Sequence, residues 1–153
     1  MLLPVPHHVQ THRKTCLPAC AMMVMGFQGV TTTESELAEY FETQEEGTRL
    51  DHVLRLNSLP TVESAALDQL DFESLHSLLT VGVPPIVYLW TAALSNWHVA
   101  TIHAVVVVGS DGNNVYVNDP YFDDAPHAIP REEFEQAWDA VDRWSAVIRC
   151  QQP

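Results

Sequence analysis

The strongest turn signal in the sequence joins two segments of strand-forming residues. Both segments, residues 102–109 and 115–119, are rich in valine, which favours β-strands. Between them, residues 110–114 read SDGNN, and clusters of Asp, Gly and Asn are typical of β-hairpin loops. The sequence therefore predicts an antiparallel hairpin at this point.

The length of the hairpin loop decides which residues face each other. With a three-residue loop over 110–112, His103 lies directly opposite Asp119. Directly opposed side chains share one face of the sheet, with Cβ atoms roughly 5 Å apart, which is close enough for a carboxylate to orient an imidazole. A two-residue loop over 111–112 would instead place Asp119 opposite Ala104. The three-residue register thus predicts a His–Asp pair, although each residue alone is also compatible with a structural role.

Helical signals dominate the first sixty residues, and strand signals follow them. The predicted order is a helix from 16 to about 26–29, a helix over 32–41 capped by Thr33, a helix over 48–57, a strand over 61–67, a helix over 71–82, a strand over 86–90, the hairpin strands, a loop over 121–128, a helix over 130–138 and a strand over 143–150. Helices first and hairpin-linked strands afterwards predict the α+β class with an antiparallel sheet.

Cys16 lies where a polar, basic segment gives way to an apolar run of helix-forming residues. It is therefore predicted at a helix N-terminus, with Thr15 as the N-cap and Pro18 in the first turn. The helix dipole and the free backbone N–H groups of a first turn stabilise a thiolate. Gln10 precedes Cys16 by six residues, near enough for its carboxamide to lie beside the sulfur. A lone cysteine is more often an inert core residue, so the assignment depends on partners elsewhere.

Four residues together provide what acyl-transfer chemistry requires. Cys16 is the candidate nucleophile, His103 the base, Asp119 the group that orients the imidazole, and Gln10 a donor to the oxyanion that forms on the attacked carbonyl. His98, just before the same strand, is the alternative base, but it is interpreted as a loop residue.

The charge balance narrows the choice of partners. With 20 acidic and 7 basic residues the formal net charge is −13, which disfavours nucleic acid and anionic membranes and would tolerate a basic peptide better. The longest strongly apolar run, residues 104–108, is far too short to cross a bilayer. The chain length and the lack of repeats or linkers predict one domain over residues 1–153.

The N-terminus and the cysteine count predict a cytoplasmic protein. The first ten residues, MLLPVPHHVQ, contain two prolines and lack the continuous apolar segment of a signal peptide. Three cysteines, an odd number, do not form a disulfide framework, which favours a reducing compartment.

A metal site is the main rival interpretation. Soft and borderline ligands cluster near the N-terminus at His7, His8, His12, Cys16 and Cys20. Their spacing matches no common zinc pattern, and Pro120 with two aromatic residues interrupts any calcium loop around Asp119, so no metal or other cofactor is predicted. Cys20 is interpreted as a packed helix residue, near enough to Cys16 for an oxidative link to be tested.

Four motifs of the chain also occur in a characteristic order. They are Gln10, Cys16 with Pro18-Ala19 behind it, the segment HAVVVVG over 103–109, and Asn118-Asp119-Pro120. In this order the sequence resembles the C39-type peptidases of the papain-like cysteine protease superfamily. The segments 82–87 and 134–138 extend the resemblance over nearly the whole chain.

The resemblance implies a papain-like fold, with N-terminal helices packed against an antiparallel sheet, and a peptide or protein substrate. It assigns Cys16, His103, Asp119 and Gln10 the roles given above. Members of this family are best known for cutting leader peptides after a double glycine, commonly as the N-terminal domain of an ABC transporter. We expect a domain without an attached transporter here.

Leu17 departs from the family pattern, which usually has glycine directly after the nucleophile. A bulky residue there narrows the cleft, changes the substrate or marks a member without activity. Two alternatives to a peptidase therefore stay open at this point: an inactive binding or maturation partner, and a related acyltransferase or amidase on the same fold.

Overall fold

A six-stranded antiparallel sheet, with strand order β1-β6-β2-β3-β4-β5, organises the computed structural model, which describes residues 2–152. The strands are β1 Val62–Gln69, β2 Ile86–Trp90, β3 Ile102–Ser110, β4 Asn114–Asn118, β5 His127–Pro130 and β6 Trp144–Cys150. The α-helices are α1 Cys16–Phe27, α2 Glu34–Tyr40, α3 Phe72–Thr80 and α4 Arg131–Asp139, and 3₁₀ helices cover Leu50–Ser58 and Thr91–Ala93. The predicted α+β class with N-terminal helices and an antiparallel sheet is confirmed.

Helices cover both faces of the sheet. The core on one face joins α1 to alternate residues of β3, such as Val24 against Val106. The core on the other face joins α3 and α4 to the remaining residues of the strand, such as Trp138 and Val105. Because every residue from 103 to 109 is buried, β3 is a nearly continuous apolar run, as expected for a central strand that is covered on both sides.

Two helix starts follow the predicted capping chemistry. The backbone N–H of Glu36 donates to Thr33 Oγ1 at 3.1 Å at the start of α2, and that of Ser74 donates to Asp71 Oδ1 at 2.8 Å at the start of α3. The C-terminal end of α3 is closed by Gly82, whose φ of +78° favours glycine.

Other local predictions were wrong. The helix expected from residue 48 is a 3₁₀ helix that begins at Leu50, and its N-cap residue makes no side-chain cap. Thr15 occupies the N-cap position of α1 but makes no side-chain cap; its hydroxyl donates to Glu34 at 2.6 Å and accepts from the backbone N–H of His12 at 3.3 Å. The short strand β5 was not predicted, and its residues were assigned to the end of a loop and the start of a helix. Its four residues include only one buried side chain, an isoleucine, which is too weak a strand signal.

The hairpin of β3 and β4 exists, but its register differs from the prediction. Val106 lies opposite Asn118, and a bulge interrupts the ladder beyond Val107. Continued past the last pair, this register sets Asp119 opposite Val105 and not opposite His103. The prediction that His103 and Asp119 lie directly opposite each other is therefore wrong.

The turn explains the shift in register. Ser110 is the last paired residue of β3 and faces Val115, so four residues form the turn. Asp111 closes it, because its Oδ1 accepts the backbone N–H groups of Asn113 and Asn114 at 2.8 Å each. Together with the bulge, this longer turn moves β4 along β3 by an even number of residues, which leaves the faces unchanged.

Within residues 2–152, no helix combines the length and the apolar character that a membrane span requires.

Candidate active site

Cys16 is the first residue of α1 and lies against the start of β3. It is partly exposed, and the His103 side chain and the backbone N–H groups of Leu17 and Ala104 lie close enough to its sulfur to lower the pKa of the thiol. The helix start and the strand therefore both supply positive charge density to the sulfur, as the position in the sequence predicts.

His103 and Asp119 form a buried pair. Nε2 of His103 lies 2.6 Å from Oδ1 of Asp119, and the two side chains are 4% and 3% exposed. Because Nε2 contacts the carboxylate, the ring presents Nδ1 to the sulfur of Cys16. The three predicted residues thus form one chain of contacts, although the strand register does not oppose His103 and Asp119.

Further donors hold the Asp119 carboxylate. Its Oδ2 accepts the indole N–H of Trp97 at 3.1 Å, and its Oδ1 accepts the backbone N–H of Tyr121 at 3.0 Å. The Trp97 ring also packs on the His103 imidazole, with 4.6 Å between the ring centroids. The imidazole and the carboxylate of this histidine–aspartate pair are thereby held in place and shielded from solvent.

The electrostatics of the site favour an ion pair between sulfur and imidazole. Burial alone would raise the pKa of the Cys16 thiol, but the hydrogen bond and positive charge of His103, with the backbone N–H groups, hold that pKa below its usual value. Burial alone would lower the pKa of His103, but the hydrogen bonds with Asp119 and Cys16 raise it to about 9. The sulfur and the imidazole therefore each stabilise the charged form of the other.

Gln10 is hydrogen-bonded next to Asp119, and its side chain bonds within its own segment. Its backbone N–H donates to the carbonyl of Pro120 at 2.8 Å, which ties it to the end of β4 that carries Asp119. Its side-chain Nε2 donates to the carbonyl of His12 at 2.7 Å, which leaves one amide hydrogen free. Within residues 2–152, Gln10 is not part of the cleft wall described below.

A buried carboxylate holds the segment between Gln10 and Cys16. Glu34, 5% exposed, accepts the backbone N–H and the hydroxyl of Thr11, the hydroxyl of Thr15 and the Nε2 of His8, at 2.6–3.1 Å. Burial would raise the pKa of Glu34, but these donors hold it below its usual value. Sequence reasoning did not identify this cluster, because the partners of Glu34 come from a segment 19 to 26 residues away in the chain.

A cleft of about 870 Å³ opens at the sulfur. Cys16, Leu17, Tyr88 and His103 line its inner part, and exposed apolar side chains form one wall, at Trp90, Val99, Ile102 and Tyr121. Trp97, interpreted from the sequence as a core or cleft-wall residue, also lines the cleft. Its bond to Asp119 was not predicted, although an isolated tryptophan in a small-residue polar loop, just before the histidine strand, was an available signal.

The remaining candidate residues lie elsewhere. His98 is exposed in the loop before β3, so it is not brought to the sulfur. His7 contacts the carbonyl of Phe122 at 2.7 Å, and His8 contacts Glu34. Across residues 2–152 no three His, Cys, Asp or Glu side chains gather in a way that could hold a metal ion. Cys20 is buried in α1, and burial followed by the charge of Cys16 raises its pKa well above the usual value.

The sequence matches the model of the Peptidase_C39 like family over residues 2–145. The chain belongs to this family. The resemblance stated from its motifs is thereby confirmed. No curated protein matches the sequence at a significant level.

Solved structures share the fold of this C39-like chain. A protein from Bacillus anthracis described as a C39-like peptidase superposes with a TM-score of 0.80 at 19% identity, covering 100% of this chain and 98% of that one. The peptidase domain of Streptococcus ComA, a bifunctional ABC transporter of a quorum-sensing pathway, gives 0.76 at 21% identity, with 96% and 99% covered. A double-glycine-motif protease from an AMS/PCAT transporter, solved with the leader peptide, gives 0.73 at 18% identity, with 98% and 94% covered.

Proposed function

We propose that this C39-like protein is a cysteine peptidase. Cys16 is the nucleophile, His103 the general acid and base, Asp119 the residue that orients the imidazole, and Gln10 a donor to the oxyanion. The observation that carries the proposal is the continuous contact from the Cys16 sulfur through the His103 ring to the Asp119 carboxylate, the last link being 2.6 Å.

The reaction begins from the ion pair. The Cys16 thiolate attacks the carbonyl carbon of a peptide bond, a C–S bond forms, and the carbonyl electrons move to oxygen. Gln10 Nε2 has a second amide hydrogen beyond the one given to His12, and this hydrogen is the donor to that oxyanion. His103 then gives its proton to the leaving amine, the C–N bond breaks, and a thioester is left on Cys16.

Water completes the cycle. Neutral His103 takes a proton from a water molecule, the resulting hydroxide adds to the thioester carbon, and the C–S bond breaks to release a carboxylic acid and the thiolate. Asp119 accepts a hydrogen bond from His103 throughout, which keeps the ring in the orientation that serves both steps. No cofactor enters the reaction.

A peptide substrate is supported by the open cleft and by the neighbouring structure that holds a leader peptide. Removal of a leader peptide is the specific form of the activity that we propose to test first. Leu17 lines the cleft directly beside the nucleophile, but its side chain is 2% exposed and packs in the core with α1, so little of its bulk reaches the cleft. The three free cysteines support a reducing, cytoplasmic location.

The first experiment compares the reactivity of the three thiols. Iodoacetamide at neutral pH is expected to label Cys16 at least tenfold faster than Cys20 or Cys150, because the pKa of Cys16 is lowered and the pKa values of the other two are raised. Peptide mapping by mass spectrometry identifies the labelled residue. His103→Ala should remove the advantage, whereas His98→Ala is the matched control and should retain it.

The second experiment measures turnover on a peptide library that contains Gly-Gly junctions, read by mass spectrometry. Cys16→Ala and His103→Ala should abolish cleavage, and full activity in either variant would overturn the proposal. Fast labelling of Cys16 without cleavage, but with acyl transfer to an added amine, would indicate the acyltransferase alternative. An unreactive Cys16 together with tight peptide binding would indicate the inactive binding partner.

A further inference from the structure

Tyr88 is a buried residue of the strand that runs beside the histidine strand. It is the central residue of β2 and pairs with Ala104, the residue whose backbone N–H contacts the Cys16 sulfur. Its side chain is 1% exposed and belongs to the core beneath α1. It also lines the cleft together with Cys16 and His103.

The Tyr88 hydroxyl is buried and has no hydrogen-bond partner within the described part of the chain. By contrast, the buried indole of Trp138 has a partner, since its Nε1 donates to Ser145 Oγ at 3.2 Å. A buried hydroxyl without a partner destabilises a fold, whereas phenylalanine fills the same space without this loss. A hydroxyl held at the edge of a cleft in this way has a ligand as its natural partner.

The surroundings of Tyr88 keep this hydroxyl protonated. Burial, and then the negative charges of Cys16 and Cys20, raise its pKa well above the usual value. The phenol is therefore a neutral donor at every pH at which the ion pair exists. Gln10, in contrast, already donates one amide hydrogen to the carbonyl of His12. The oxyanion can therefore accept a hydrogen bond from a second side chain as well.

We propose that the Tyr88 hydroxyl donates a hydrogen bond to the carbonyl oxygen of the bond that Cys16 attacks, and is thus a further catalytic residue of this site. The inference rests on the proposed peptidase function. As the C–S bond forms, negative charge gathers on that oxygen, and the bond from Tyr88 strengthens. The proton stays on the phenol throughout, so the step needs no other reactant.

The test compares two electrophiles that react with the same sulfur. p-Nitrophenyl acetate passes through a tetrahedral oxyanion when it acylates Cys16, whereas iodoacetamide alkylates the sulfur without forming one. In Tyr88→Phe, acylation should slow by roughly tenfold or more, the scale expected for loss of an oxyanion donor, while alkylation stays within about twofold of wild type. Peptide turnover should lose kcat with little change in KM.

Control measurements distinguish the role of Tyr88 from the proposed peptidase function. Tyr116→Phe removes a hydroxyl that contacts Asp111 at the hairpin turn and should leave both rates unchanged. The thermal midpoint of Tyr88→Phe should equal or exceed that of wild type, because the lost hydroxyl has no partner. Equal acylation in wild type and Tyr88→Phe, or equal slowing of acylation and alkylation, would overturn the inference. If the proposed peptidase function itself is wrong, the rates of acylation and alkylation will not depend on His103.

Discussion

The indole nitrogen of Trp97 lies 3.1 Å from Oδ2 of Asp119, so the carboxylate that holds His103 is itself held by a neutral donor. The same indole ring packs on the imidazole at 4.6 Å between centroids. Trp97 therefore contacts two members of the proposed catalytic group and positions both of them.

Trp97→Phe is expected to lower kcat/KM for a peptide substrate by about 3- to 30-fold. Phenylalanine keeps most of the ring contact with His103 but loses the hydrogen bond to the carboxylate, and a bond to a charged group is worth about 1.5–3 kcal/mol, only part of which acts on the transition state. Steady-state kinetics measure the change. Trp90→Phe is the matched control, since Trp90 lines the cleft without a bond to Asp119, and unchanged kinetics in Trp97→Phe would contradict the positioning role.

The pH profile of kcat/KM should be bell-shaped, with its basic limb near pH 9. The pKa of His103 is raised to about 9, so above that pH the imidazolium that must protonate the leaving amine is lost. The acid limb follows the lowered pKa of Cys16, because the thiolate is protonated below it. Initial rates over pH 5 to 10 measure both limbs.

Asp119→Asn should move the basic limb to lower pH. Among the groups that raise the pKa of His103, the hydrogen bond with Asp119 is the largest, and asparagine carries no charge. Asp124→Asn is the control, because Asp124 contacts His127 in the exposed loop after β4. A basic limb that stays near pH 9 in Asp119→Asn would show that the carboxylate does not set the protonation of the ring.

Much of the fold could be predicted from local sequence because its signals are local. The capping residues Thr33 and Asp71 mark helix starts with side chains that bond within three residues, and both were found. The hairpin was found for the same reason. Its register was not predicted. The bulge beyond Val107 and the side-chain hydrogen bonds of Asp111 change which residues of β3 and β4 pair, and composition reveals neither feature.

In the candidate site, too, residues with local sequence signals were predicted, and residues whose role depends on distant contacts were not. Cys16 was recognisable from the change of composition at a helix start, and His103 with Asp119 from their places at the ends of two paired strands. Tyr88 and Glu34 were not recognised, because their significance depends on contacts across the sheet or between segments 19 to 26 residues apart. A tyrosine within an apolar strand is interpreted from sequence as a core residue. Only the structure shows that its hydroxyl is buried without a partner among residues 2–152.

Glu34→Gln is expected to lower the free energy of unfolding by about 2–4 kcal/mol, since the carboxylate accepts several charge-assisted hydrogen bonds that an amide cannot all replace. Urea denaturation measures this change. Glu36→Gln, on the exposed side of the same helix, should change stability by less than about 0.5 kcal/mol.

The contribution of Glu34 should also depend on pH in a defined direction. Its pKa is lowered in the folded protein, so its stabilising effect is complete above the ordinary value of 4.5 and is lost as the pH falls through the folded-state value. The difference between wild type and Glu34→Gln should therefore shrink in acid. A difference that persists unchanged at pH 3 would indicate packing as its cause.

The cleft should prefer acidic peptides, although the net charge of the chain is −13. Three of the seven basic residues line the cleft, Arg13, Lys14 and Arg49, against one of the twenty acidic residues, Glu46. Arg49 pairs with Asp51 outside the cleft, whereas Arg13 and Lys14 form none of the ion pairs found within residues 2–152. The charges that line the cleft therefore predict a preference for acidic peptides, the opposite of the preference that the net charge predicts.

A peptide that carries glutamate near the cleaved bond should accordingly have a kcat/KM about 2- to 10-fold higher than its glutamine analogue at low salt, because each exposed charge pair contributes about 0.2–1 kcal/mol. The advantage should fall at 0.5 M NaCl, where screening is strong. In the double variant Arg13→Gln with Lys14→Gln it should be largely lost, whereas Arg149→Gln, a charge change in β6, should retain it. Iodoacetamide labelling of Cys16 reports whether the double variant alters the sulfur itself. An equal preference for both peptides in wild type at low salt would show that Arg13 and Lys14 do not face the substrate.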